Sequence, residues 1–183
     1  YLGAFARGFT SFLDADFQRY PAAFRTGDVY PFGAHGADFT AWVSTLTHPM
    51  QRLVVGRTLP EHFPALAQGL NVLDAGCGAG QLLLKLADAY PAGRYVGVDV
   101  DAHGIEQARA EAERRGLADR VRFELGPVEA LNLPGAFDLA LMFEVLHELP
   151  VGVRSSVIGG AFRALRPGGN LFILDETWPD SPD

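Results

Sequence analysis

The chain has 183 residues, 48 % of them hydrophobic, with a formal net charge of −7 and one cysteine, Cys77. That size suits one domain with an appendage. The acidic balance, without any basic stretch interleaved with aromatics, excludes a nucleic-acid surface. No apolar run approaches the ~20 residues that cross a bilayer, and no membrane partner is expected.

The first residues are rich in aromatics. Phe5, Phe9, Phe12, Leu13 and Phe17 recur at helical spacing and predict an amphipathic helix. Tyr20-Pro21 and Thr26-Gly27-Asp28 are expected to break it. Val29 to Gly36, with Pro31, Gly33 and Gly36, reads as a loop. Asp38 is suited to cap a helix from Phe39 to about Leu46, and Pro49 to open another to about Leu59. Pro60 to Gln68 reads as a last short helix, ended by Gly69. Residues 1–69 are thus expected to form a helical lead-in to a sheet domain over 70–183.

The pattern then changes. An apolar strand, Val72 to Ala75, runs into Gly76, Gly78 and Gly80, and the helical segment Gln81 to Ala87 follows at once. Such a turn lets a ligand approach bare backbone at a helix N-terminus. Asp74 ends the strand. A pyrophosphate gains nothing from a carboxylate there, whereas a ligand with cationic groups can use one. The glycine spacing is G-x-G-x-G, not the G-x-G-x-x-G of dinucleotide sites. Cys77 lies inside the loop, where small size explains it better than thiol chemistry; a lone cysteine fits a reducing compartment, and a cytoplasmic location is expected.

A second strand, Arg94 to Asp99, ends in a carboxylate ~20 residues beyond the glycines, where it can accept hydrogen bonds from both hydroxyls of a ribose. Asp101 is assigned to capping the next helix. The third strand is Val121 to Leu125, followed by Gly126-Pro127-Val128-Glu129. The fourth is Phe137 to Met142, followed by Phe143-Glu144-Val145-Leu146-His147-Glu148. A helix from Val151 to Leu165 stops at the turn Arg166-Pro167-Gly168-Gly169, and a fifth strand covers Asn170 to Glu176.

Asp74-Ala75-Gly76-Cys77-Gly78-Ala79-Gly80 resembles motif I of the class I S-adenosylmethionine-dependent methyltransferases, and the later strands repeat that family's habits in order up to the Leu165-Arg166-Pro167-Gly168-Gly169 turn. The resemblance covers Asn71 to Glu176 and points to the bacterial small-molecule type. It implies an α/β fold, a doubly wound, mostly parallel Rossmann-like sheet. Five strands are readable where the family has seven, so the terminal hairpin is expected to be missing and both ends read as cut. The implied cofactor is S-adenosylmethionine. Its contacts would come from Asp74, Gly76, Cys77, Gly78, Gly80, Asp99, Val100, Pro127, Val128, Phe143 and Glu144. Pro127 stands where relatives carry an acidic residue for the adenine amino group, so Val128, Glu129 or backbone must serve instead.

The resemblance also implies that the N-terminal helices help shape the acceptor pocket. Tyr30, Phe32, His35, Phe39 and Trp42 are its candidates, against plain packing. Methyl transfer needs alignment of the reacting atoms and a base only where the acceptor loses a proton. His147, after the fourth strand, is the candidate base, with Glu144 beside it; helix capping or packing is the alternative for His147. Glu148 and Glu176 read as solvated or structural. A small-molecule acceptor is expected, no metal is assigned, and a homodimer stays open. Two other readings compete: a cofactor-binding module without catalysis, and a nicotinamide-dependent oxidoreductase.

Overall fold

The computed structural model describes residues 3, 6, 8–27, 30 and 32–176, without the Phe9 side chain. Phe5, Asp28, Val29 and Pro31, which carry parts of the expected first helix and loop, lie outside the described residues.

Five strands form one parallel sheet in the order β3-β2-β1-β4-β5: β1 Asn71–Ala75, β2 Arg94–Asp99, β3 Val121–Leu125, β4 Phe137–Phe143 and β5 Leu165–Leu174. The α/β doubly wound expectation is met. The order reverses direction after β3, so the carboxyl ends of β1 and β4 flank the crevice where open parallel sheets bind ligands. Three α-helices connect the strands: α4 Gln81–Ala89, α5 Ala102–Arg114 and α6 Val151–Ala164.

Alternation along the strands feeds two cores. Val72, Leu139 and Leu141 face α4 and α5, packing with Leu83, Leu86, Ile105 and Phe123. Leu73, Ala75, Ala140 and Met142 face the other way, onto Ala161 and Ala164 of α6. Small residues let α6 lie close: a Cβ on Gly160 would come within 2.8 Å of the Glu129 backbone.

The N-terminal part is helical, with different boundaries from those expected. α1 spans Asp14–Thr26 and runs through Pro21 instead of breaking there. The fixed φ of proline fits a helix and only one backbone bond is lost; the stop comes at Gly27, whose φ is 74°. α2 spans Ala37–Leu53, so Pro49 lies inside it and opens nothing. Burial of Phe39, Thr40 and Gln51 on this helix, with Val54 beyond it, outweighs the ~3 kcal/mol that an interior proline costs. Asp38 is not the cap. Gly36 takes that position, and Asp38 sits in the first turn, where its charge suits the helix dipole. α3 is a short turn, Leu59–His62.

β5 starts at Leu165 rather than Asn170, because Leu165 already pairs with Phe137. The Arg166-Pro167-Gly168-Gly169 segment is therefore a bulge within the strand, with a shift in pairing between Phe137 and Leu139 and a φ of 80° at Gly168. At its other end β5 stops at Leu174. Asp175 and Glu176 leave the strand, and Asp175 turns to the β4 loop.

The sheet accommodates the glycine loop through Gly97, which pairs in register with Asp74. A Cβ there would lie 2.7 Å from both Cys77 Sγ and a ring carbon of Phe123. Gly97→Ala is expected to cost ~1–3 kcal/mol by overpacking, seen as a Tm lowered by several degrees in thermal unfolding; an unchanged Tm contradicts this packing.

Candidate cofactor and active site

The loop after β1 is held by its own backbone. Gly76, Gly78 and Gly80 have φ of 86°, 50° and 70°, a region that favours glycine. The N–H groups of Gly76 and Cys77 donate to Val98 O at 2.8 and 3.2 Å, and Gly80 N–H returns to Cys77 O at 2.9 Å. Gly78 N–H donates to Asp99 Oδ2 at 2.7 Å. These donors are committed to β2 and to the turn, so the loop is not a cradle of free N–H groups for a pyrophosphate. That argues against the nicotinamide reading. Gly78 faces open space, since a Cβ there would meet nothing within 4 Å.

Asp74 is buried, and its Oδ1 has no hydrogen-bond partner among the described residues. Burial, aided by the nearby Asp99 charge, pushes its carboxyl up to about 7. An orphaned buried carboxylate oxygen beside an open glycine loop fits a ligand that brings a cation, as the ammonium-bearing cofactor implied by motif I does.

Asp99 is fixed at both oxygens: Oδ2 by Gly78 N–H, and Oδ1 by Asp101 N–H at 2.8 Å. Burial raises its pKa while these backbone bonds oppose the rise. Each oxygen keeps a lone pair for a ribose hydroxyl. Asp101 caps α5 as expected, accepting from His103 N–H and Gly104 N–H at 3.1 Å each. Val100, next to Asp99, is 71 % exposed and offers an apolar face at this end of the sheet. Val128 is buried in the core beside α6, whereas Pro127 before it is exposed.

The second wall is the segment after β4. Phe143 is buried at the strand end, and Glu144 follows with a φ of 56°, a strained value for a non-glycine residue. Its N–H is held by Leu174 O at 2.8 Å. The two loops meet, because a Cβ on Gly76 would lie 2.5 Å from a Val145 methyl.

His147 sits on the short turn Leu146–Glu148. Its Nδ1 lies 2.8 Å from Asp175 Oδ1. Asp175 also accepts from Val145 N–H at 2.9 Å, Leu146 N–H at 2.5 Å and His147 N–H at 3.3 Å. Burial works against the Asp175 charge, but His147 and these N–H groups outweigh it and lower its pKa. For His147, burial opposes the cation, and the Asp175, Glu148 and Glu144 carboxylates more than compensate, so its pKa is raised. A carboxylate on Nδ1 fixes that nitrogen as the N–H and leaves Nε2 as the basic atom. Nothing in the sequence singles out Asp175, which reads there as part of the fifth strand; the available signal is a carboxylate near that strand's carboxyl end.

The candidate acceptor-side aromatics form one packed group. Phe39 is buried, with its ring centroid 4.1 Å from His35, 5.2 Å from Phe32 and 5.5 Å from Trp42. His35 Nε2 pairs with Asp16 at 3.0 Å. Tyr30 meets His35 edge-on at 4.5 Å, with the Arg19 guanidinium 4.0 Å above its ring. Among the described residues no helix is long and apolar enough to cross a membrane, and no group of three His, Cys, Asp or Glu is placed to hold a metal.

The sequence profile of a methyltransferase-domain family matches residues 66–179. The chain is 36 % identical over 118 residues to a 27-O-demethylrifamycin SV methyltransferase from Amycolatopsis mediterranei, covering 64 % of this chain and 42 % of that protein. It is 37 % identical over 121 residues to a ubiquinone biosynthesis O-methyltransferase from Methylocella silvestris, covering 65 % and 44 %. The chain thus spans less than half the length of these curated relatives. Among solved structures, a putative S-adenosyl-L-methionine-dependent methyltransferase from Methanococcus maripaludis shares the fold, at a TM-score of 0.67 and 20 % identity over 80 % of this chain and 65 % of that one. The cyclase SpnF matches at a TM-score of 0.53 and 32 % identity, covering 60 % and 42 %.

Asp74 sets a stability test. Its folded pKa of about 7 lies above the ordinary 3.8, so the folded state prefers the protonated acid. Stability of the cofactor-free protein is therefore expected to fall as pH rises from the ordinary carboxylate range to about 7, and to stay low above it. Asp74→Asn is expected to raise Tm at pH 8, by ~2–4 °C per kcal/mol relieved, with little gain near pH 4, while weakening cofactor binding. Equal melting of both proteins at pH 8 contradicts the buried charge.

Proposed function

The chain belongs to the methyltransferase-domain family, as a class I S-adenosylmethionine-dependent methyltransferase, and from that premise we propose that it methylates a hydroxyl group on a small-molecule acceptor. S-adenosylmethionine, when bound, supplies a methyl group already activated on a sulfonium. The residues of this chain then hold, orient and deprotonate. Asp99 would hold the ribose hydroxyls and Asp74 the ammonium of the methionine part, with the open backbone at Gly78 beside them. Val100 and Pro127 would serve the adenine, and Phe143 and Glu144 the methyl-bearing end.

The acceptor hydroxyl gives its proton to His147 Nε2. What supports this role is the Nδ1 contact to Asp175 at 2.8 Å, which orients the ring and stabilises the imidazolium that forms. The relatives named as O-methyltransferases agree with a hydroxyl acceptor. Orientation supplies up to ~7–11 kcal/mol in favourable cases, and a positioned base a further ~10²–10⁴-fold. The similarity to SpnF, named as a cyclase, supports a second reading in which this fold serves something other than methyl transfer.

The test is incubation with S-adenosylmethionine and a panel of small hydroxyl, amine and thiol compounds, read by mass spectrometry for a methylated product and S-adenosylhomocysteine. A methyl ether is the expected product. Cofactor binding without transfer to any acceptor favours the second reading. His147→Gln is expected to lower kcat ~10²–10⁴-fold with little change in S-adenosylhomocysteine affinity. The base form of His147 is lost below its raised pKa, so kcat/KM falls on the acid side, beginning above the ordinary 6.5. Asp175→Asn removes the carboxylate that raises this pKa and should move the acid limb to lower pH; an unmoved limb contradicts the pair.

Binding has its own tests. Asp99→Ala is expected to weaken cofactor binding by ~1.5–3 kcal/mol, measured by calorimetry, and unchanged affinity removes it from the ribose site. Gly78→Val combines an unfavourable φ with a side chain in the cofactor's path, and binding should be lost.

A further inference from the structure

The ribose site reaches beyond the sheet domain. Thr40, on α2, is buried, and its hydroxyl donates to Asp101 Oδ2 at 2.8 Å across 61 residues of sequence. The alternative acceptor, Gly36 O, is at 3.4 Å, so the one hydroxyl hydrogen goes to the carboxylate. Asp101 is itself buried and accepts from His103 N–H and Gly104 N–H at the start of α5. Its own N–H donates to Asp99 Oδ1 at 2.8 Å. Asp99 in turn holds Gly78 N–H at 2.7 Å.

A continuous line of hydrogen bonds therefore runs from the N-terminal helical layer, through a helix cap and the ribose carboxylate, to the glycine loop. Neighbouring contacts reinforce its first link. Gln107 on α5 donates to Ala37 O at 3.2 Å. A Cβ on Gly33, in the turn before α2, would lie 3.3 Å from Asp101 Oδ1. α2 is docked on the start of α5 at the point where the ribose carboxylate is oriented.

We propose that Thr40 is a positioning residue for the cofactor's ribose: by fixing the Asp101 carboxylate it sets the Asp101 N–H that orients Asp99. This rests on the assignment of Asp99 to the ribose. Thr40 touches no cofactor atom in this scheme. Without its hydroxyl, Asp101 Oδ2 keeps one donor where it had two, and a buried carboxylate moves toward whatever donors remain. The displacement passes along the chain to Asp99, whose two oxygens must face two hydroxyls at once.

The test is titration of S-adenosylhomocysteine into the chain and its variants by calorimetry. Thr40→Val keeps the shape and removes the hydroxyl, and is expected to weaken binding about tenfold, or ~1.4 kcal/mol. Thr40→Ser restores the donor and should bind within about twofold of the parent, on the scale of a conserved hydrogen bond. A residue acting only through Asp99 must couple to it, so Thr40→Val should cost little further in an Asp99→Asn background.

Equal affinity of Thr40→Val and the parent overturns the proposal, as does a full tenfold loss repeated in the Asp99→Asn background. If Thr40→Val does not fold, Thr40→Ala replaces it; failure of both to fold assigns the bond to stability alone and overturns the proposal too. These outcomes leave the cofactor assignment standing. A parent chain that does not bind S-adenosylhomocysteine overturns both.

Discussion

Asp74 is a carboxylate held on the central strand where water is excluded and one of its oxygens meets no donor among the described residues. Burying an ionised group without a partner costs several kcal/mol unless it neutralises, and its pKa of about 7 records that cost. Several features of the site follow from it. The strand must end where it does, so that the carboxylate reaches the crevice beside β4. The loop after it must be glycine-rich, because it turns sharply while sending its N–H groups to Val98 and Asp99 rather than back to Asp74. The fold thus carries a local instability, of the kind that a functional site exchanges for stability, and the proposed cationic ligand would relieve it.

The two walls of the crevice are built on the same plan. On one side, Asp99 gathers backbone donors from the glycine loop and from the start of α5. On the other, Asp175 gathers three successive N–H groups of the β4 loop and the His147 ring. Each carboxylate sits at the carboxyl end of a strand and ties down a neighbouring loop. The proposed ligand roles and the loop geometry therefore rest on the same carboxylates, so substitutions at Asp99 or Asp175 are expected to affect both. Glu144, in a backbone conformation unusual for its type, belongs to the second of these walls.

Much of this was legible in the sequence, and the misses are instructive. The β1 loop, the Asp99 strand end and the Asp101 cap follow from local rules about glycine, strand ends and helix starts, and those rules operate over a few residues. Pro21 reads as a break and Pro49 as a helix start because a proline's local effect is visible in the sequence, while the burial around Phe39 and Gln51 that carries the second helix through Pro49 is not. The Arg166-Pro167-Gly168-Gly169 turn is legible as irregular but not as part of β5, since its pairing with β4 is a tertiary contact. His147 could be named from its place after the fourth strand. Its partner could not, because Asp175 is brought to it only by β5 lying next to β4. Thr40 carried no signal at all: its role depends on a contact between residues far apart in the chain.

The most direct measurement is calorimetric titration of the purified chain with S-adenosylhomocysteine, with NADH titrated in parallel. A site built on an orphaned Asp74, an Asp99 free to take a ribose and a glycine loop whose N–H groups are committed to the protein should bind S-adenosylhomocysteine in the micromolar range and NADH not at all. Binding of NADH alone, or of neither, would contradict it.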